Sequence, residues 1–333
     1  MSQKVLIAYG DDEGPRIIGA AEKVLKAAAP DLEILHERIG ADAYRNTSYA
    51  LPPETLDALG ECCAFLSGPV NMTGIKERNP LETIKMQAGL LAEYSEIFPI
   101  LKTSGNVPMD IGVISPAAAD IMDIHETEDL DGVTSGFYTN TEATADLFSI
   151  ARRLTELRNG TKVWFSDDSR RFPTRNRIVK KTFHEIFDDA SFVSVERTSE
   201  EISYYLAHDP ESIDIIFCGA DSAHQIYGYG AGIIGGGGLM PHAFLSKNFG
   251  LFVPMEPFSF EVRERAENPT SAILSVATML LSMGRREDYR TVRNAVYEMY
   301  SIGRTTRDVG GKLNADQFAD GVTKIIYSEK LED

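Results

Sequence analysis

Cysteine is scarce: Cys62, Cys63 and Cys218 are the only three in 333 residues. No C-x-x-C occurs, and neighbours in sequence do not readily close an ordinary disulfide. A secreted, disulfide-stapled scaffold is therefore excluded. No apolar run reaches the ~20 residues that a membrane-spanning helix needs. The first ten residues pass straight into a strand pattern, without the apolar stretch of a signal peptide. Positive charge is also short, with 33 Lys and Arg against 50 Asp and Glu, a net charge of −17 and a pI near 4.8. Such a surface repels nucleic acid and anionic lipid. Together these absences predict a soluble cytoplasmic protein. Two phosphate-binding signatures are missing as well. The glycine loop at Gly10–Pro15 lacks the G-x-G-x-x-G spacing, and the run Gly228–Gly238 lacks the Gly-Lys-Ser/Thr that would supply a lysine and a magnesium ligand.

What is present is ample for a large core, at 43% hydrophobic and 25% charged, in one large domain or two smaller ones. Val5–Tyr9 reads as a buried strand, Gly10–Pro15 as a turn and Ile17–Ala29 as a helix, the opening of an α/β fold. Cys62–Leu66 is a second short apolar run, broken at once by Ser67-Gly68-Pro69-Val70. Loops at the ends of buried strands are where open α/β sheets bind ligands. Leu81–Phe98 reads as a helix, Ile111–Ile114 as a strand and residues 125–131 as an acidic loop. Helices follow at Thr141–Asn159 and Ile178–Phe187, and strands at Val163–Phe165, Ile213–Cys218 and Leu251–Val253. The glycines of the Gly228–Gly238 run predict close backbone packing or a hinge.

The chain is organised around a late stretch, Glu267 to Gly284. Pro269 stands where a first helical turn accepts it. Ile273, Val276, Ala277, Leu280 and Leu281 recur at helical spacing, with Leu274 and Met279 on the other faces, and Gly284 can end the helix in the left-handed conformation. A helix apolar nearly all round is a buried one. The amide of Asn268 at its entrance can face a ligand.

Asn268-Pro-Thr-Ser-Ala-Ile-Leu-Ser275 resembles the late core helix of the β-decarboxylating dehydrogenases, the isocitrate and 3-isopropylmalate enzymes. Four further blocks resemble that family in the right order across nearly the whole chain. They are Gly10-Asp-Asp-Glu-Gly-Pro15, Gly68-Pro-Val70, Gly237-Gly-Leu-Met-Pro241, and Thr306-Arg-Asp-Val-Gly-Gly311 with the Phe318–Val322 segment behind it. The resemblance implies an isocitrate/isopropylmalate dehydrogenase-like α/β fold of two domains flanking a cleft. The first domain is discontinuous, 1–97 with 235–333, and 98–234 forms the second, with dimer contacts. It also implies oxidation of a 2-hydroxy acid by NAD or NADP, a divalent ion held by carboxylates, arginines that clamp substrate carboxylates, and a lysine and a tyrosine that handle protons.

The chain departs from the family at those positions. The catalytic lysine falls at Ser169, and Tyr138 is the nearest substitute for the tyrosine. The metal carboxylates fall at Glu200, His224 and Gly228, which suits a transition metal better than Mg²⁺ or Mn²⁺. The substrate arginines fall at Ala92, Lys102 and His125. On the cofactor side Asn268 and Asp308 remain, with Glu13 in the opening loop, while Met255–Phe260 replaces the adenine-side loop and predicts weaker dinucleotide binding. Arg170, Arg171 and Arg175 form a basic island that can grip a phosphate or polycarboxylate in bidentate fashion, or pair with the chain's own acids Asp167, Asp168 and Glu185. Three readings follow: a dehydrogenase with rearranged residues, a non-catalytic paralogue acting as regulatory partner or anion sensor, or an enzyme of other chemistry in the same cleft.

Overall fold

The computed structural model describes residues 3–101, 109–117, 122–255 and 268–332. The first stretch runs β1 (Lys4–Ala8), α1 (Gly14–Ala28), β2 (Glu33–Glu37), α2 (Gly40–Thr47), α3 (Pro53–Gly60), β3 (Ala64–Ser67), α4 (Pro80–Gln87) and β4 (Ala92–Ile97). Next come β5 (Ile111–Pro116), the hairpin β6 (Met122–Glu128) and β7 (Val133–Thr139), α5 (Thr141–Arg158), β8 (Lys162–Ser166), α6 (Pro173–Phe187) and β9 (Val193–Arg197). The chain then forms α7 (Ser199–His208), β10 (Ile215–Phe217), α8 (Ala220–Ile234), β11 (Pro241–Leu245), β12 (Gly250–Pro254), α9 (Thr270–Ser282), α10 (Arg286–Ser301) and α11 (Ala315–Glu332).

Ten strands make one sheet in the order β2-β1-β3-β12-β11-β4-β5-β10-β8-β9. The groups β2-β1-β3-β12 and β5-β10-β8-β9 are each parallel throughout, while β11 is antiparallel to both β12 and β4, and β4 is antiparallel to β5. The two parallel groups therefore point in opposite directions, and their C-terminal ends lie on opposite edges of the sheet. β4 and β5 meet at the centre, from Ala92 opposite Pro116 to Ile97 opposite Ile111, and every residue of both is buried.

α9 is the central helix that its sequence predicts. Every residue from Thr270 to Leu281 is buried, and Gly284 follows at φ +85°. Its few polar side chains serve the sheet. Ser271 donates to the Met240 carbonyl, and Ser275 donates to the Val253 carbonyl at 2.7 Å. The Ser275 oxygen also accepts from the His242 backbone N–H at 3.2 Å, which fixes β11 against the helix.

Two expectations are corrected and a third gains detail. Leu81–Phe98 is not one helix: α4 stops at Gln87, Gly89 takes φ +55°, and Ala92–Ile97 is a strand. Hydrogen bonds to two neighbouring strands outweigh the helical spacing of its apolar residues. The acidic stretch 125–131 is a loop only from Asp129, since His125–Glu128 pair with β7. There the Asp129 carboxylate accepts from the N–H groups of Asp131 and Gly132, the local turn that short acidic side chains favour. The Gly228–Gly238 run is helical as far as Ile234. Its glycines do permit close packing: a Cβ on Gly230 would stand 2.5 Å from Ile97 Cδ1.

Candidate active site

The period of a strand sets which side chains share a face. On β4, Tyr94 and Glu96 face one way, where Tyr94 donates to Glu96 at 3.0 Å. Glu93 and Ser95 face the other. Glu93 is paired with Phe244 of β11 on one side and with Ser115 of β5 on the other. His242, two residues before Phe244, shares that face. Its Nε2 lies 2.8 Å from Glu93 Oε1. The pair is nearly closed from solvent, with 10% of the Glu93 side chain and 17% of His242 exposed.

α8 lays Tyr227 beside this pair. Its ring stands 6.4 Å from that of His242 and 6.2 Å from that of His224, which is exposed one turn earlier. α4 supplies Lys85, whose ammonium sits 3.7 Å above the Phe244 ring. Glu93 thus feels charge from both α4 and α8. Burial pushes its carboxyl up, but the hydrogen bond from His242 and the charges of His242, His224 and Lys85 hold it below the usual range. Burial, with the Glu93 charge adding to it, pushes the Tyr227 phenol well above its ordinary value, so the phenol keeps its proton. Tyr227 is 3% exposed and Ser115 is fully buried. Their hydroxyls adjoin, and the interaction with Ser115 works against the rise of the Tyr227 phenol.

The residues expected from sequence are dispersed. Ala92 is buried one position from Glu93. Lys102 lies outside the described residues, as does the replaced adenine-side loop beyond Met255. His125 and Tyr138 stand on the hairpin, where Tyr138 is 62% exposed. Ser169 is exposed in the turn after β8, its N–H donating to the Asp167 carboxylate at 2.8 Å. Glu200 is exposed in the first turn of α7, its carboxyl lowered by backbone and Thr198 hydrogen bonds and by the Arg170 charge. Among the described residues no three His, Cys, Asp or Glu side chains come together as a metal site. Glu200 and His224 do not stand in such a group.

The basic island is knit into its surroundings. Lys180 bonds Glu196, Lys181 lies 3.5 Å from Glu185, and Arg171 and Arg175 flank the Phe172 ring. Arg175, Asp168, Asn176 and Ser166 line a cavity of about 20 Å³, the size of one water.

On the opposite sheet edge Asn268 and Asp308 do meet. The Asn268 amide donates to Asp308 Oδ2 at 2.8 Å, and its oxygen accepts from the Thr270 N–H that opens α9. Tyr300 and Thr306 brace the pair. Asp308 is exposed and keeps lone pairs free to accept from ribose or adenine donors, so the pair fits the edge of a dinucleotide site. Glu13 is exposed near the N-terminus of α1. The glycine loops beside it are spent on each other: a Cβ on Gly10 would fall 2.3 Å from the Pro69 carbonyl oxygen, and one on Gly68 2.0 Å from that of Tyr9.

Sequence reasoning missed Glu93, His242, Tyr227 and Ser115. Glu93 and His242 are 149 residues apart, so only strand register joins them. The available signal was a carboxylate inside the apolar run Leu90–Tyr94, obscured while that run was read as helix.

The arrangement defines an α/β protein with a polar cluster at the centre of a sheet whose halves run in opposite senses. The chain belongs to the isocitrate/isopropylmalate dehydrogenase family, whose model matches residues 4–322. It is 25% identical over 341 residues to the 3-isopropylmalate/3-methylmalate dehydrogenase of Methanocaldococcus jannaschii, covering 98% of this chain and 99% of that one. It is 24% identical over 333 residues to the isocitrate/homoisocitrate dehydrogenase of Thermus thermophilus, covering 98% and 100%. The fold is similar to a β-decarboxylating dehydrogenase from Thermococcus kodakarensis, with TM-score 0.87 at 17% identity, covering 99% of this chain and 98% of that one. No helix among the described residues is long and apolar enough to cross a membrane.

Proposed function

We propose that the chain is an oxidoreductase that oxidises the hydroxyl of a 2-hydroxy acid with NAD or NADP, in a family cleft with a rearranged site. The observation that carries this reading is the Glu93–His242 pair. The carboxylate and imidazole are held almost out of water, and perturbed groups of this kind cluster at functional sites. Asn268 and Asp308 would hold the dinucleotide, with Glu13 near its path, and the bound nicotinamide would accept hydride. The substrate is a small carboxylate, for which Arg170, Arg171 and Arg175, in the turn after β8 and the first turn of α6, supply cations. The working unit is a homodimer of two-domain subunits, 1–97 with 235–333 and 98–234, a division that follows the change of strand direction between β4 and β5. The test is NAD(P)H formation with a panel of 2-hydroxy acids, with and without added divalent metal. Turnover of one acid supports the proposal, and no turnover of any refutes it.

A second reading is a non-catalytic paralogue, a regulatory subunit or anion sensor. It is favoured by Ser169 standing, exposed, at the position where the resemblance implies the lysine. Copurification with an active paralogue, together with the absence of turnover, would select it.

A further inference from the structure

We propose that a cavity at the C-terminal end of α9 binds a small organic anion with an apolar body, a medium-chain carboxylate in chemical class. The cavity measures about 370 Å³ and is lined by α5, the turn from β11 to β12 and the end of α9. One water needs about 15 Å³ and small-molecule pockets begin near about 300 Å³, so the space suits a molecule rather than a lone ion. Ile150 and Leu154 of α5, Leu245 of β11 and Phe249 of the turn give it an apolar lining that can take an alkyl chain out of water.

The charge of the lining has one sign. Arg153 and Lys247 line the cavity and no acid does, in a chain whose net charge is −17. Lys247 is half exposed and lies 2.6 Å from Asp146, which is not part of the lining. Arg153 meets no carboxylate among the described residues. It donates to the Lys247 carbonyl at 3.2 Å and to the Ser282 carbonyl at 2.9 Å. These bonds fix the guanidinium in place, and carbonyl oxygens with the C-terminal dipole of α9 answer its charge only in part. A carboxylate can accept from its remaining N–H groups in a charge-assisted bond. The site is separate from those described above. α9 has 13 residues, so its C-terminal end stands about 20 Å from Asn268 at its entrance. Successive strand residues face opposite ways, so Leu245 points away from the side of β11 that carries His242 and Phe244.

The experiment is calorimetry of the full chain with octanoate as the probe and octanamide as its uncharged counterpart. One saturable octanoate site per chain is expected, with octanamide about 10-fold weaker or more, the worth of one charge-assisted hydrogen bond. Arg153→Gln should weaken octanoate binding by about the same factor. Because Arg153 also holds the end of α9, a second variant leaves both cations in place. Ser149 is exposed on α5 and lines the cavity, so the indole of Ser149→Trp should fill the space and abolish binding. The Arg170→Ala, Arg171→Ala double variant should bind octanoate as the parent does, and NAD should not displace it. The absence of saturable octanoate binding would overturn the inference. So would parent-like affinity in both Arg153→Gln and Ser149→Trp, equal affinity for octanamide, or displacement by NAD. None of these results bears on turnover, so the function proposed above stands or falls separately.

Discussion

Ser275 is fully buried in α9, yet its hydroxyl serves two strands, donating to the Val253 carbonyl and accepting from the His242 N–H. Removing it strands two buried backbone groups. Ser275→Ala is expected to cost about 1–3 kcal/mol, read from the urea midpoint. An unchanged midpoint would mean that water replaces the hydroxyl there. At this scale sequence shows the serine but not its partners, because β11 and β12 precede α9 and only packing brings them together.

α9 and α6 contrast at the scale of elements. α9 draws its stability from burial on every side, so Leu280→Ala should cost about 2–5 kcal/mol in chemical denaturation. α6 opens with Pro173 and carries Arg175 but no acid in its first turn, so no side chain of that turn complements its dipole. If the arginines before it bind the substrate carboxylate proposed above, citrate or phosphate should raise the melting temperature, and the Arg170→Ala, Arg171→Ala double variant should not respond. Equal responses of variant and parent would leave these arginines with a purely structural role. α4 and β4 show where element reading fails. Ile84, Ala88 and Leu91 fall on one helical line, and nothing local announces that Ala92–Ile97 will lie between β11 and β5.

Across the whole molecule, an ion network of buried Glu96, Arg158 and Arg293 with half-exposed Asp110 joins segments far apart in sequence behind β4. Arg158 of α5 lies 3.2 Å from Glu96 and 2.5 Å from Asp110, and Arg293 of α10 lies 2.8 Å from Asp110. Breaking it leaves charge uncompensated, so Arg158→Ala should destabilise the fold by about 3–5 kcal/mol. Burial would raise the Asp110 carboxyl, but the Arg158 and Arg293 guanidiniums hold it well below the usual carboxylate range. The folded chain therefore binds this proton less readily than the unfolded chain. The resulting stability is fully present above about pH 4 and is lost as pH falls further. Asp110→Asn should flatten that acid-side slope, and an unchanged slope would exclude Asp110 as its source. The β6–β7 hairpin stands apart from the main sheet with Leu130, Val133 and Tyr138 exposed, and a lone two-stranded hairpin is marginal in water. If it forms the proposed dimer contact, sedimentation should show a dimer for the wild type and a monomer for Val133→Asp.

Sequence alone determined the α/β class, the family through five ordered motifs, the buried α9 and the strands at Val5, Val163 and Leu251. These are written in short-range patterns of apolar spacing, proline and glycine that need no distant partner. Edge strands such as Glu33–Glu37, half exposed and carrying His36 between acids, have no such pattern. Tertiary structure alone decided the polar cluster. Glu93, Ser115, Tyr227 and His242 come from three strands and a helix, and sheet order sets their meeting. A strand's register depends on neighbours that the chain supplies more than a hundred residues later.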